Sequence, residues 1–244
     1  MKSANGDEDK MGSRREREVV LPDEEMILDI ELEEDLLRKN RELAEENRKR
    51  LREKGVRTID VMGSIGSGKT SLIEGVADAL KDKCRIAMIA GDVTTSIDAE
   101  RVSNHGVKSI QVNTGKECHL DANLVRKALD RLDLSQIDLL IIENVGNLIC
   151  PIEFDLGADT RIVVVSVTEG EYMVLKHPLM FQGCQLLVIN KIDLAEVMGV
   201  DPDKLASQAK DLNPSIKVVK TCLRNGTGIA QIVETLGLRG DHEC

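Results

Sequence analysis

The run Gly63-Ser64-Ile65-Gly66-Ser67-Gly68-Lys69-Thr70 satisfies the phosphate-loop pattern G-x-x-x-x-G-K-[ST] in full. Its glycines let the backbone wrap tightly, so that successive N–H groups point inward at phosphate oxygens. A helix starting at its end adds a partial positive charge at its N-terminus. Lys69 is expected to reach the β- and γ-phosphates, and the Thr70 hydroxyl to take a place on Mg²⁺, with Ser71 completing the nucleotide-binding set. A strand-length stretch, Val56–Met62, apolar at Val56, Ile59, Val61 and Met62, precedes the loop and a helix-period run, Thr70–Leu80, follows it. That context favours a working phosphate site over a plain glycine-rich turn.

Asn190-Lys191-Ile192-Asp193 has the form N-K-x-D and follows the apolar run Leu186–Ile189. Asp193 can accept two hydrogen bonds from the N1–H and exocyclic amine of guanine, a donor pair that adenine lacks. Lys191 can lay its stem over the base, and Asn190 can tie this loop to the phosphate loop. Joined to a phosphate loop at this separation, the tetrapeptide predicts GTP as the nucleotide. The segment Thr221-Cys222-Leu223-Arg224-Asn225-Gly226 is expected to close over the base, with the Leu223 N–H facing the guanine carbonyl oxygen and Cys222 beside it.

The run Ile141-Ile142-Glu143-Asn144-Val145-Gly146 ends a buried strand in an acid and a glycine. Glu143 is expected in the Mg²⁺ shell, with Gly146 giving an N–H to the γ-phosphate. Gly91-Asp92-Val93-Thr94-Thr95 offers Asp92 as a second metal carboxylate, and Asp98 as a third. The plain alternative for each acid is a helix cap or loop carboxylate. No glutamine stands where fast GTPases place one, so hydrolysis is expected to be slow.

Cys118-His119 and the distant Cys150 bring thiolate and imidazole chemistry, which suits zinc, copper or nickel. Three such ligands leave a four-coordinate site one short, and a two-fold dimer can close it. Buried core cysteines are the alternative reading, since cysteine is among the most buried residue types. Cys84, Cys184 and Cys222 fit that alternative better.

These residues need a scaffold, and the remaining sequence supplies one. At 244 residues with one Tyr, two Phe and no Trp, the core must be aliphatic. Predominantly apolar runs at Ile137–Ile142 and Ile162–Val167, interrupted only by Asp138 and Ser166, and the unbroken run Leu186–Ile189 belong to parallel strands covered on both faces. Alternating with helix-period segments, they predict an α/β fold. It is a doubly wound, mainly parallel sheet with helices on both faces and ligands at the strands' carboxyl ends. A long helix is expected over 22–54, with Leu32, Leu36, Leu43, Asn47 and Leu51 on one face. Eight acids and no base lie in 23–35, and eight bases with four acids in 38–54, an order that suits the helix dipole. A single domain is expected over 19–238, between a disordered tail at 1–18 and a loose one at 239–244. The formal charge of −10 argues against nucleic-acid binding. No apolar run approaches the roughly 18 residues of a membrane span, and the first residues lack a secretory signal's apolar core. Six cysteines without disulfide-scaffold spacing are read as a sign of the reducing cytoplasm.

The segments GSIGSGKTSLIE, GDVTTSIDAERV, NTGKECHLDANLV, LLIIENVGNLICP and VINKIDL, in this order, resemble the HypB family of GTPases that serve nickel insertion into [NiFe]-hydrogenase. The resemblance covers about residues 30–236. It implies a P-loop fold of the SIMIBI class and a GTP-favoured homodimer. It also implies Ni²⁺ or Zn²⁺ held at the subunit interface by Cys118, His119 and Cys150. The implied partners are a second nickel accessory protein and the hydrogenase large subunit. Because Cys150 lies on the short segment that carries Glu143 and Gly146, nucleotide state is expected to control metal affinity. The UreG family of urease accessory GTPases is the nearest rival. It has Cys-Pro-His where this chain reads Cys118-His119. A small-molecule kinase would also use a phosphate loop, and a metal-independent GTPase switch would leave the cysteines in the core. The N-terminus carries neither the Cys-x-x-Cys-x-Cys site nor the histidine-rich tract of some relatives, so nickel storage is not implied.

Overall fold

The computed structural model of the protein describes residues 24–92, 102–103, 105–115, 119–147 and 150–238, with side chains from Leu32 onward except at Asp92 and Cys150. The tails expected at 1–18 and 239–244 lie outside the described residues, as do the apolar Val19–Leu21 and most of Ser96–Asn104, which the sequence reads as a short edge strand and a short helix. Two compact units are distinguished, Met1–Asp35 and Leu36–Cys244. In the first, the described residues form the opening turns of helix α1, Glu24–Glu53. The second holds the rest of α1 and the sheet.

Seven strands pair in parallel throughout: β1 Arg57–Met62, β2 Ile86–Asp92, β3 Lys108–Asn113, β4 Leu139–Glu143, β5 Thr160–Ser166, β6 Leu186–Asn190 and β7 Lys217–Lys220. Their order is β3-β2-β4-β1-β5-β6-β7, so the chain starts at the centre and winds outward both ways. This is the doubly wound α/β fold expected, with the sheet entirely parallel.

Strand alternation assigns side chains to two faces. Ile59, Val61, Met88, Ile141 and Val164 pack under α2, Lys69–Leu80, and the last helix, α8, Ile229–Thr235. The opposite face carries two apolar clusters. Ala87, Ile89, Leu140 and Ile142 meet Leu51 of α1 and Val125 of α3, Ala122–Leu129. Met62, Val163, Val165 and Leu187 meet the short helices α4, Met173–Lys176, and α5, Pro178–Gln182, together with Leu205 of α7, Pro202–Leu212. α6, Ala195–Met198, follows the β6 loop.

Within the second unit, the expected face of α1 holds at Asn47 and Leu51 and departs at Leu36. Asn40, Ala44, Asn47 and Leu51 are its buried residues, while Leu36 is exposed. The buried asparagines bond backbone groups of α3 and of the segment before β5. Asn40 accepts from Ala122 N–H (2.8 Å) and donates to Asp155 O (2.8 Å). Asn47 donates to Ala122 O (2.8 Å) and reaches Leu156 O (3.5 Å). A leucine at position 40 would take the acceptor from the first-turn Ala122 N–H, at a cost of about 1–3 kcal/mol. The basic end docks too: Arg48, Arg50 and Arg52 pair with Asp155, Asp130 and Asp159. Gly55 (φ +70°) turns the chain from α1 into β1.

Away from the phosphate loop, a carboxyl group is buried on the central strand. Asp60, on central strand β1, is 1% exposed and stands in register with Arg161 of β5, whose Nε is 3.3 Å from its Oδ2. Burial pushes its carboxyl up to about 6, against the opposing pull of Arg161 and Asn144. Between the unfolded value near 4 and the folded value near 6, the native state binds more protons than the unfolded chain. Stability from this group therefore falls as pH rises through that window. Asp60→Asn removes the titration. The unfolding free energy of the wild type relative to Asp60→Asn should rise by about 1 kcal/mol between pH 7 and pH 5 in urea titrations. A difference that does not change with pH would show that Asp60 titrates normally.

Candidate functional site

All strands being parallel, β1, β2, β4, β6 and the turn after β7 deliver their carboxyl ends to one edge. A cleft of about 730 Å³ opens there, within the range of small-molecule sites. Its lining includes Ile65, Gly66, Gly68, Lys69, Thr70 and Ser71 from the phosphate loop and α2, Glu143–Gly146 after β4, and Asn190, Lys191 and Asp193 after β6. Gly63, Ser64 and Ser67 complete the loop. Lys69 Nζ donates to Gly63 O and Ser64 O, both at 3.1 Å, so the ammonium sits over the loop's centre. Thr70 Oγ1 donates to Glu143 Oε1 at 2.8 Å. These are two buried oxygen ligands at one point beside the phosphate loop, a donor set that fits Mg²⁺.

Asn190 joins the base loop to the phosphate loop. Its Nδ2 donates to Ser67 O at 2.9 Å, and its Oδ1 accepts from Thr221 Oγ1 and Leu223 N–H, both at 3.1 Å. The Leu223 N–H, expected to face the base, is thus donated to Asn190 instead. The inward amide leaves its oxygen where that N–H points. Cys222 and Leu223 both line the cleft. Gly68 has φ +112°, and a Cβ there would fall 2.2 Å from Asn190 Nδ2, so only glycine allows the two loops to meet. Lys191 is the one non-glycine residue with positive φ (61°) among the described residues, a strained conformation at the site's edge.

The sequence reading missed two charged neighbours. Arg224 lines the cleft beside Leu223. Glu169, after β5, accepts from Ser166 N–H at 2.8 Å. Burial raises its carboxyl above the ordinary range while Lys191 and Lys69 oppose the rise. The acid two residues beyond the β5 run Ile162–Val167 was the only local signal for it.

The thiol–imidazole residues are described in part. Asp98 and Cys118 lie outside the described residues. Asp92 ends β2 and Cys150 opens a 3-10 turn, Cys150–Ile152, their side chains undescribed. The His119 ring stacks on Phe154, with centroids 3.8 Å apart and planes at 26°. The turn after Cys150 therefore lies against the residue after Cys118. Among the described residues no group of three His, Cys, Asp or Glu side chains converges. Cys184 is a core thiol, pushed up to about 12 by burial. Burial, then Asp193, raises Cys222. Cys84 is disulfide-bonded, a departure from the expectation of reduced thiols throughout.

Residues 57–220 match the CobW/HypB/UreG nucleotide-binding domain family. The probable hydrogenase maturation factor HypB of Methanocaldococcus jannaschii is 53% identical over 205 residues, 84% of this chain and 93% of the relative. The crystal structure of HypB from Archaeoglobus fulgidus superposes with a TM-score of 0.77 at 46% identity, covering 82% of this chain and 97% of that one. The structure of HypB from Helicobacter pylori in complex with nickel superposes with a TM-score of 0.76 at 33% identity, covering 84% and 99%. With its nucleotide-binding region matched from β1 to β7, and a relative more than half identical, the chain belongs to the HypB hydrogenase maturation factors of the CobW/HypB/UreG family.

Proposed function

We propose that the protein is a slow GTPase that binds nickel at a dimer interface and releases it in step with its nucleotide during [NiFe]-hydrogenase maturation. The observation that carries the nucleotide half is the convergence of Lys69, the Thr70–Glu143 pair and the Asn190–Asp193 loop on one cleft. Mg²⁺ would be held by Thr70 and Glu143, with Asp92 and Asp98 as further carboxylates. Bound there, it would neutralise charge on the β- and γ-phosphates. Lys69 and the loop N–H groups would hold the phosphates, and Asp193 would select guanine over adenine. Among the described residues that line the cleft there is no glutamine, and slow turnover goes with this reading.

The nickel half rests on family membership, on the nickel complex of the Helicobacter relative, and on the contact that brings the Cys150 turn to His119. Cys118, His119 and Cys150 are the proposed ligands, with Zn²⁺ the competing ion. Two copies would complete the coordination. Tyr172, Leu175 and Leu179 expose 55%, 54% and 62% of their surface along α4 and α5, an apolar face suited to self-association. A second accessory protein and the hydrogenase large subunit would receive the metal. The cytoplasm is the proposed compartment; no helix among the described residues is long and apolar enough to cross a membrane.

Nickel titrated into the GDP form and into a form with a non-hydrolysable GTP analogue, with oligomer size read alongside, is expected to give different affinities; equal affinities and sizes would remove the coupling. Cys150→Ala should weaken nickel binding and leave GTP affinity nearly intact. Turnover of the isolated protein above about 1 s⁻¹, the low end of ordinary enzyme rates, would contradict the slow-switch reading. Lys191→Gly relieves a left-handed backbone but loses the stem over the base. Its thermal stability should be unchanged or higher by up to about 1 kcal/mol while GTP affinity falls. Unaltered GTP affinity would remove Lys191 from the base site.

A further inference from the structure

Three segments hold the parts of the proposed switch: the end of β4 from Glu143 to Gly146, the turn with His119, and the Cys150–Ile152 turn. One buried polar string runs between them. Asn144, 1% exposed, directly follows Glu143. Its Oδ1 accepts from Leu120 N–H at 3.2 Å and from Val145 N–H at 3.1 Å. Two N–H donors fix the orientation of the amide, so Nδ2 must face Asp60 Oδ1, 3.4 Å away. Asp60 pairs with Arg161, whose Nη1 reaches Ile152 O at 3.5 Å. Leu120 is the residue after His119, and Ile152 lies two residues beyond Cys150.

Packing holds Leu120 to the same strand ends. Its side chain is fully buried against Gly91, which precedes Asp92. A Cβ on Gly91 would fall 2.7 Å from Leu120 Cδ1 and 3.1 Å from Glu143 O. Close-packed atoms of this kind do not move independently. A buried amide deprived of its acceptor is costly, so the Leu120 N–H follows Asn144 rather than releasing it.

The geometry points to Asn144 as the positioning residue that passes movement of the Glu143–Gly146 loop to His119 through the Leu120 amide. This rests on the reading of the protein as a nucleotide-controlled nickel carrier and names the residue through which that control runs. Asn144 side-chain atoms need touch neither the γ-phosphate nor the metal. A loop drawn toward the phosphate at Gly146 moves Asn144, and Leu120 and His119 move with it.

The test is the ratio of nickel dissociation constants in the GDP and GTP-analogue forms of the full chain. In the wild type a ratio in the roughly 5- to 150-fold range of ordinary allosteric couplings is expected. In Asn144→Ala it should fall to about one; because Asn144 lines the cleft, the two forms are compared at nucleotide concentrations that saturate the variant. Asn144→Asp alone would set a second carboxylate against Asp60, whereas the Asn144→Asp/Asp60→Asn pair keeps an acceptor for both N–H groups and a donor between the two side chains, and should recover most of the ratio. A wild-type ratio in Asn144→Ala would overturn the proposal. So would a parallel loss of nucleotide binding, nickel binding and thermal stability, which marks a purely structural asparagine. A ratio of one in the wild type would instead sink the nickel-switch reading itself, and this proposal with it. Hydrogen exchange at the Leu120 amide of the wild type needs no variant. Its protection should change between the two nucleotide forms, and equal protection would overturn the proposal even where Asn144→Ala fails to fold.

Discussion

The constraint on which everything else depends is the parallel alignment of seven strands, with β1 held between β4 and β5. Parallel strands share a direction, so the segments leaving β1, β2, β4 and β6 emerge at one edge. The phosphate loop, the Glu143 turn and the Asn190–Asp193 loop therefore meet although 127 positions separate Gly63 from Asn190. Parallel strands also need cover on both faces. The cover comes from α2 and α8 on one side and from α1, α3 and the α4–α7 group on the other.

Where segments without ladder partners come together, the chain uses asparagine. Asn40 and Asn47 bridge the turn at Ala122 and the run Asp155–Leu156. Asn144 bridges the β4 end and Leu120. Asn190 bridges the phosphate loop and the turn after β7. All four side chains are buried. A primary amide suits this work because it can satisfy N–H and C=O groups together without bringing a charge into a low-dielectric interior. The exception is Asp60, which carries a charge inside and has Arg161 directly in register to meet it.

These four amides and one ion pair lie where the chain's distant segments meet. The apolar clusters set the distances between helices and sheet. The polar links set which backbone group faces which, and so the relation between the nucleotide cleft and the turns that carry His119 and Cys150.

The sheet, its strand limits within a residue or two, and the phosphate loop were legible because their signals are local. Apolar runs of strand length, a glycine pattern of eight residues and an N-K-x-D tetrapeptide are each written in contiguous chain. The HypB family was legible from such contiguous stretches too. The long-range pairings were not. Leucine spacing placed Leu36, Asn47 and Leu51 on one face of α1; Asn47 and Leu51 are buried, but Asn40 and Ala44 rather than Leu36 complete that face, because it meets polar backbone near Ala122 and Asp155. The Leu223 N–H looked free to meet a base, yet it serves Asn190, 33 positions away. The Asp60–Arg161 pair and the His119–Phe154 stack had no signature at all. The sequence by itself determined the elements and the motifs, since helix and strand periods and loop chemistry depend on neighbouring residues. Only the tertiary structure decided which buried polar groups meet, since that depends on register and packing between segments far apart in the chain.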